Sequence, residues 1–365
     1  MTLRESPLLR TFPPPQFFLA PGTGLALSSR AIRSATLSEQ GVELALSDYG
    51  EEALPAGVFS AGEIKDRDAL KTRLLNIAKE HRIRAAHIAI PEQPSFLLFL
   101  EIPLMARRDI RAYLAEQIEK EVPFSVRDIL FDYEMAACAP KDGAPSLCAS
   151  VAVIPKKIVD DYCALFRECG IAPRSLELGA HALARAVLPR EHKGVALLVD
   201  IDLEETLVAV VAGKTVRFTA TIAMGGGALT SALVKKMGVA PEEARRLKHR
   251  IGLKKSAPEA DLVNTLLSPL SALRDEIKRH YLSWHTHLPE KGAAALSRIE
   301  KIVLSGEDAA MPGLADYLRS GLKEDLVIAD PWQNIAPLGA STPELPRKDA
   351  LRYAVAFGLA LRPYD

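Results

Sequence analysis

Residues in the middle of the chain have the types and spacing of a phosphate-binding element. Asp200 ends a short apolar run and Thr206 begins a β-branched run, so the residues between them form a turn. Further along, Gly225–Gly227 come directly before a predicted helix. Glycines permit positive φ and close approach of the backbone to a ligand, and a helix N-terminus presents free N–H groups to an anion. The pattern fits equally well a hairpin whose glycines simply make a tight turn.

A P-loop is excluded nearby. Gly213-Lys214-Thr215 looks like the end of the G-x-x-x-x-G-K-[ST] motif, but the leading glycine position holds Val208. A strand pattern follows this segment, whereas a P-loop requires a helix. We therefore predict a hairpin turn at Gly213-Lys214.

Histidines and cysteines offer no obvious metal site. The spacings of five and two among His280, His285 and His287 do not place two ligands on one helix face, as an i,i+4 pair would. The four cysteines include no C-x-x-C pair. This favours buried, reduced thiols in a cytosolic protein, with a cross-strand disulfide between Cys138 and Cys148 as the alternative.

Charge and hydropathy narrow the class of partner. The 365 residues contain 46 basic and 46 acidic side chains, so nothing favours nucleic acid or an anionic membrane as the main partner. No apolar run approaches the roughly 20 residues that cross a bilayer. The short apolar stretch Phe17–Ala20 follows three prolines and is not a signal peptide. We expect no direct insertion into a membrane.

The elements that position the candidate residues follow from periodicity. Residues 1–21 form a proline-interrupted leader that we expect to be poorly ordered. Ala86 to Ile154 reads as a strand-helix-strand-strand unit, inserted between elements of a first lobe. A second lobe begins at about Gly194. Ser268-Pro269 has the form of an N-cap and first-turn proline, so a long helix is predicted to begin there.

At the level of ordered motifs, nearly the whole chain resembles the PilM family of type IV pilus assembly, with FtsA as a more distant relative. Arg111–Met135, RAYLAEQIEKEVPFSVRDILFDYEM, resembles the family's acidic helix, its "I/V-P-F" turn and its "D-Y/F" strand. Each further match is short, but their number and order make the combination specific. The matching segments are Val199-Asp200-Ile201, Gly225-Gly226, Thr230, Ala244, Lys248, Glu276–Arg279, Leu304–Gly306, Pro312–Leu314 and Ala356–Arg362.

The resemblance implies an α/β, two-lobed actin-like (ribonuclease H-like) fold with an inserted strand-helix-strand-strand subdomain. The divisions that we predict are residues 22–85 and 155–193 for the first lobe, 86–154 for the subdomain, 194–345 for the second lobe and 346–365 for a C-terminal helix that packs on the first lobe.

The resemblance also implies a site for ATP or ADP with Mg²⁺, and Asp200 is the candidate metal ligand. The candidate nucleotide contacts are Asp200, Thr206, Gly225, Gly226, Gly227, Lys248 and Gly306.

Departures from the family pattern fall on this same site. In the first phosphate loop the family's aspartate and turn glycine correspond to Ala26 and Ser28, so a carboxylate near Mg²⁺ and a flexible turn are missing. In the second loop the turn contains three carboxylates, which would repel a triphosphate unless metal or basic residues compensated. These carboxylates belong to Asp202, Glu204 and Glu205. Arg245 and Glu307-Asp308 replace further family residues. We therefore predict weak or absent nucleotide binding and no ATP hydrolysis.

The resemblance implies a cytoplasmic adaptor at the inner face of the inner membrane. It would dock the cytoplasmic tail of a PilN-like membrane protein between the first lobe and the subdomain, with a pilus motor ATPase and self-association as further contacts. An active ATP-hydrolysing actin-like protein of pilus assembly or cell division is the alternative. A type II secretion system is a second possible setting. The FtsA-like reading requires an amphipathic tail, and the sequence ends at Arg362-Pro363-Tyr364-Asp365.

Overall fold

The computed structural model describes residues 22–40, 43–60, 62–136, 147–254, 260–286, 298–335 and 345–364. The strands are β1 Gly22–Leu27, β2 Ala31–Gln40, β3 Glu43–Ala53, β4 Phe59–Ser60, β5 Glu63–Ile64, β6 Ala85–Ile90, β7 Phe96–Ile102, β8 Ile129–Ala136, β9 Leu147–Pro155, β10 Ala172–Leu178, β11 Val195–Ile201, β12 Thr206–Ala212, β13 Thr215–Ile222, β14 Lys301–Ser305 and β15 Leu326–Ile328. The helices are α1 Arg67–Glu80, α2 Arg107–Glu121, α3 Lys156–Glu168, α4 Gly179–Val187, α5 Gly226–Met237, α6 Pro241–Ile251, α7 Ala260–Thr286, α8 Leu314–Leu322, α9 Arg347–Ala350 and α10 Ala354–Leu361.

Two sheets of the same topology form the two lobes. Within the described residues, the first sheet has the strand order β10-β6-β1-β2-β3. The second sheet has the equivalent order β15-β14-β11-β12-β13. In each sheet the first three strands of the lobe form an antiparallel meander, and two later strands add in parallel. The central strands β1 and β11 therefore hold equivalent positions, and so do the turns that follow them.

The inserted unit is a separate small layer. Strands β7, β9 and β8 pair in that order, all antiparallel, and helix α2 covers one face. The core between them contains Ile110, Leu114 and Ile118 from α2, which recur at helical spacing and point at the sheet. Helix α2 ends at Glu121, two residues before Pro123, because proline cannot continue a helix.

The C-terminal helix α10 packs against the first lobe. It contacts β1, β2, β6 and α4, and its residues are apolar or small on every side. The approach is very close, since a Cβ at Gly24 would lie 2.1 Å from Ala356 O and one at Gly358 would lie 1.7 Å from Ala182 O. Glycine at both positions is required by the distance between the backbones.

The hairpin predicted at Gly213-Lys214 is confirmed. Gly213 has φ of 63° and joins the antiparallel strands β12 and β13. The predicted start of a helix at Ser268-Pro269 is wrong, because α7 runs through Pro269 from Ala260. Leu262 and Leu266 continue the buried stripe of the helix toward its N-terminus, and this burial stabilises the turns before the proline.

The prediction of reduced cysteines is only partly right. Cys163 and Cys169 are free thiols, but Cys148 is disulfide-bonded. Its predicted alternative partner, Cys138, lies outside the described residues, as do the leader at positions 1–21 and His287. Among the helices that the structure describes, none combines the length and apolar character needed to cross a membrane.

We expect Gly358→Ala to destabilise the protein by about 3 kcal/mol or more, because the new methyl group would overlap the backbone of α4. Denaturant unfolding followed by circular dichroism measures the change. Gly57→Ala is the matched control, since nothing lies within 4 Å of a Cβ there. The control should lose only the roughly 1 kcal/mol cost of a left-handed backbone. Equal losses in the two variants would contradict the close packing of α10.

Candidate functional site

A cavity of about 440 Å³ lies between the lobes, where the β1–β2 turn faces the β11–β12 turn. Its polar lining is dominated by carboxylates from both lobes, with two arginines among them. The acidic side chains are Glu92, Asp200, Asp202, Glu204, Glu205 and Glu307, and the basic ones are Arg33 and Arg352. The electrostatic character of the cavity therefore favours positive charge.

Asp200 lies near the end of the central strand β11, which β12 and β14 flank on either side. Burial and, to a lesser extent, the negative charge of Asp202 raise the pKa of Asp200 to about 7, against the opposing effects of the Ser305 hydroxyl and the Arg33 charge. Its Oδ1 atom has no hydrogen-bond partner among the described residues. Glu92 shows the same behaviour, since burial raises the pKa of its carboxyl to about 7.

The glycine cluster begins helix α5, but its N–H groups are already used. Gly226 N donates to Asp202 O at 2.9 Å and Gly227 N donates to Leu203 O at 2.6 Å. The β11–β12 turn thus rests on the helix N-terminus, where a bound anion would otherwise lie. Thr206 is also occupied, because its Oγ1 donates to Met224 O at 2.7 Å.

Close approach explains why these residues are glycines. A Cβ at Gly225 would lie 2.2 Å from Asp202 O, and one at Gly226 would lie 1.2 Å from Asp308 Oδ2. The neighbours that approach them are groups of this chain. In this structure the glycines therefore make room for a backbone turn and a carboxylate of the same chain.

Lys248 lies on α6 and is completely enclosed, with 1% of its surface exposed. Its Nζ donates to Gly226 O at 3.0 Å and to Asp308 Oδ2 at 2.9 Å. His249 Nε2 lies 3.1 Å from Asp308 Oδ1. Burial by itself would raise the pKa of Asp308, but hydrogen bonds from His249 and Lys248 hold it below its ordinary value. The positive charge of Lys248 is therefore balanced by the Asp308 carboxylate inside the protein.

The segment after β14 provides a second ion pair within the protein. Arg245 of α6 donates a hydrogen bond to the Glu307 carboxylate. Gly306 precedes it with φ of 94°, and a Cβ there would lie 2.3 Å from Ile201 O. The segment is thus pressed against the end of β11, which only glycine permits at this position.

Arg33 on β2 carries the main contact between the facing turns. It is 8% exposed. Its Nε donates to Glu51 Oε2 at 2.8 Å, Nη1 lies 3.5 Å from Asp202 Oδ1, and Nη2 lies 3.5 Å from Glu307 Oε2. Although burial lowers the pKa of Arg33, the carboxylates of Asp202, Glu51 and Glu307 raise it above the ordinary value. At the exposed rim, Arg30 pairs with Glu204 at 3.3 Å.

The predicted site residues divide into two groups. Asp200 and Gly306 line the cavity, together with Ala26 and Ser28 of the first loop. Thr206, Gly225–Gly227 and Lys248 do not appear in its lining and are engaged with protein groups instead. In the part of the chain that the structure describes, no group of three or more His, Cys, Asp or Glu residues is arranged to hold a metal ion.

The roles of Arg33 and Glu92 were not predicted from the sequence. A usable signal existed for Arg33, since arginines in the first loop complement the excess of carboxylates in the second. Glu92 had no such signal. Its Oε1 accepts a hydrogen bond from Ala180 N at 2.8 Å, and 88 residues separate the two positions.

Comparison with solved structures identifies the architecture. The PilM–PilN type IV pilus biogenesis complex matches with a TM-score of 0.76 and 20% identity, covering 96% of this chain and 100% of that chain. The ethanolamine utilization protein EutJ from Carboxydothermus hydrogenoformans matches with a TM-score of 0.54 and 14% identity, covering 96% and 90% of the two chains. MreB5 of Spiroplasma citri bound to ADP has a TM-score of 0.54, 13% identity and coverage of 93% and 94%. These likenesses confirm the two-lobed actin-like fold.

At the level of sequence, the family model described as "Type IV pilus assembly protein PilM" matches residues 24–364. The match spans both lobes, the inserted subdomain and the C-terminal helix.

We expect Lys248→Met to destabilise the protein by about 3–5 kcal/mol, because the buried Asp308 carboxylate loses its main partner. Lys235→Met, at an exposed position on α5, should change the free energy of unfolding by less than about 0.5 kcal/mol. The double variant Lys248→Met/Asp308→Leu should recover most of the loss, since it removes both charges. Urea unfolding measures all three. A loss in Lys248→Met no larger than in Lys235→Met would rule out the buried pair.

Asp200→Asn should change how stability depends on pH. The folded protein holds the Asp200 proton up to about pH 7, while the unfolded chain releases it near its ordinary value of 3.8. Stability contributed by the protonated form is therefore lost as pH rises from about 4 to about 7. Relative to wild type, the variant should gain about 2 kcal/mol between pH 5 and pH 8 in urea unfolding. Asp316→Asn, at an exposed carboxyl, is the control, and identical pH profiles for all three proteins would contradict the assignment.

Proposed function

This chain belongs to the PilM family of type IV pilus assembly proteins, and we propose that it works there as an adaptor that docks the tail of a membrane protein without using ATP. The tail would be the cytoplasmic segment of a PilN-like inner-membrane protein, which would hold this chain at the inner face of that membrane. Contacts with a pilus motor ATPase and self-association remain further predictions of the family resemblance.

The observation that carries the proposal is that protein groups occupy the candidate nucleotide contacts. The α5 N–H groups bind the backbone of Asp202 and Leu203, and Lys248 binds Asp308. A phosphate group would have to displace these partners and leave the Asp308 carboxylate buried without its main cation. That cost is several kcal/mol for a buried ion pair, which a nucleotide would have to exceed before binding.

Electrostatics at the cavity act in the same direction. A triphosphate would enter a space lined by six carboxylates and two arginines. Arg33 is already paired with Glu51, Asp202 and Glu307, and Arg352 lies 3.8 Å from Glu51. The residues present therefore fit a polyanion poorly.

The inserted subdomain supplies a surface suited to an extended peptide. Strand β8 is at the edge of the three-stranded sheet in the described residues, and α3 of the first lobe packs against β8 and β9. Leu130 on β8 is 42% exposed and lies opposite Ile154, which packs against the core of the first lobe. The junction of lobe and subdomain thus offers an apolar side chain beside an edge strand, as strand addition requires.

Charged side chains on the same face of β8 indicate what kind of tail would fit. Asp132 and Glu134 are exposed and alternate with the partly buried Phe131 and Tyr133. Together with Leu130 they make an apolar and acidic face, which complements a tail that carries both apolar and basic residues. On the opposite face, the Arg111 guanidinium lies over the Phe131 ring at 4.5 Å and donates to Phe131 O at 3.1 Å.

The rival function is ATP binding in the manner of MreB5 of Spiroplasma citri, whose structures are bound to ADP or AMPPNP. One observation favours it, namely the unpartnered Oδ1 of Asp200 among the described residues, which is where a metal ion could bind. The lining of the cavity and the occupied N–H groups favour the adaptor.

Calorimetric titration of the purified protein with Mg·ATP decides between the two functions. We expect no saturable heat up to millimolar ATP, since the protein groups at the site must be displaced first. The double variant Lys248→Met/Asp308→Gly serves as the comparison, because it removes the buried pair that closes the site. Micromolar binding by the wild-type protein, with turnover, would establish the rival function.

Fluorescence anisotropy with the labelled cytoplasmic tail of the PilN-like protein of the same pilus system tests the docking surface. Leu130→Lys should weaken binding at least tenfold, because it removes apolar contact and adds a charge that repels a basic tail. Leu267→Lys is the control, since Leu267 on α7 is 38% exposed and lies on the second lobe. Equal affinity of the two variants would rule out this surface.

A further inference from the structure

The two lobes are held together in different ways on the two sides of the cavity. Below it, apolar residues of both lobes form one continuous core. Helix α4 of the first lobe contacts β12 and β13 of the second, and α10 packs on α4. At the turns, by contrast, charged side chains make the contact, and Arg33 is the most buried of them. Such an arrangement resembles a packed hinge with an ionic closure opposite it.

The Arg33 guanidinium suits this position chemically. It is planar and has five N–H donors, so it can address several carboxylates at once. Here Nε holds Glu51 of its own lobe, while the two Nη atoms face Asp202 and Glu307 of the other lobe. A lysine ammonium, which is a compact point charge, could not reach all three in this geometry.

We infer that Arg33, Asp202 and Glu307 form an internal clasp that keeps the two lobes closed without a bound ligand. A ligand in the cavity would touch both lobes and could bridge them. In this chain Asp202 of the β11–β12 turn, Glu307 of the segment after β14 and the guanidinium of Arg33 on the facing strand β2 make that bridge themselves. Opening the lobes would separate a buried cation from two anions, and burial makes that separation unfavourable.

The closed arrangement also fixes the inserted subdomain. Ser150 on β9 donates to Val216 O of the second lobe at 2.7 Å, and the Arg217 guanidinium lies 4.4 Å from the centre of the Phe99 ring. The subdomain therefore touches the second lobe as well as the first. Lobe closure by the clasp stabilises this contact, and it does so whether or not a tail binds to β8.

Hydrogen exchange of the full chain, read by mass spectrometry, tests the clasp. The variant is Asp202→Asn/Glu307→Gln, which leaves Arg33 paired with Glu51 and so avoids an unpaired buried cation. We expect amides in the turns at residues 28–30 and 202–205 to exchange at least fivefold faster than in wild type. Strands β1 and β11 should exchange at unchanged rates, and small-angle scattering should show a larger radius of gyration.

Arg352→Gln is the matched control. Arg352 lines the same cavity and also faces Glu51, but its ion-pair partners are Glu51 on β3 and Asp349 on α9, and neither belongs to the second lobe. In the Arg352→Gln variant, the amides of both turns should exchange at the wild-type rate. Arg33→Lys provides a second variant that retains the positive charge, and it should also accelerate exchange in the two turns.

Two results would overturn the inference. The first is wild-type exchange and scattering in both Asp202→Asn/Glu307→Gln and Arg33→Lys. The second is slower exchange of the wild-type turns on addition of Mg·ATP, because a ligand would then close the lobes. The first result would leave the adaptor function and the expected outcome of the calorimetric titration untouched. The second result would count against the clasp and against the adaptor function as well.

Discussion

Charge buried between the lobes is the constraint on which the rest of the structure depends. Two sheets of equal topology bring equivalent turns face to face, and ionisable side chains of both lobes line the cavity between them, largely removed from water. Carboxylates in such a place need cations within a few ångströms or must take up protons. Arg33 provides one solution, by lying between Asp202 and Glu307, and Lys248 provides another beside Asp308. Asp200 and Glu92 show the alternative, since burial raises the pKa of each to about 7.

Close packing of backbones allows these charges to meet. Gly226 admits the Asp308 carboxylate, and Gly306 admits the end of β11. Gly24 and Gly358 do the same for α10 against the first lobe. A neighbouring group of the protein occupies the space beside each glycine. The scaffold can therefore keep the glycine pattern of a ligand site while that space is used for internal contacts. A glycine motif alone therefore does not distinguish a binding loop from a packing contact.

This distinction matters for how the fold is used. The actin-like architecture is shared with proteins such as MreB5, whose structures contain nucleotide, but function depends on the groups at the site. In this member of the PilM family the polar groups of the site are largely paired with one another, which supports the proposal of an adaptor. The inserted subdomain, with its edge strand β8 and exposed Leu130, carries the docking surface that we propose.

The sequence by itself determined the scaffold. Sequence patterns predicted the strand-helix-strand-strand unit and the hairpin at Gly213-Lys214, and ordered short motifs indicated the actin-like fold. These signals depend on near neighbours along the chain. The helix-start signal at Ser268-Pro269 failed, because tertiary burial of Leu262 and Leu266 stabilises the helical turns before the proline. Only the tertiary structure decided which groups occupy the site. Arg33 and Glu307, or Glu92 and Ala180, are far apart in sequence, and whether they pair depends on how two lobes close in space.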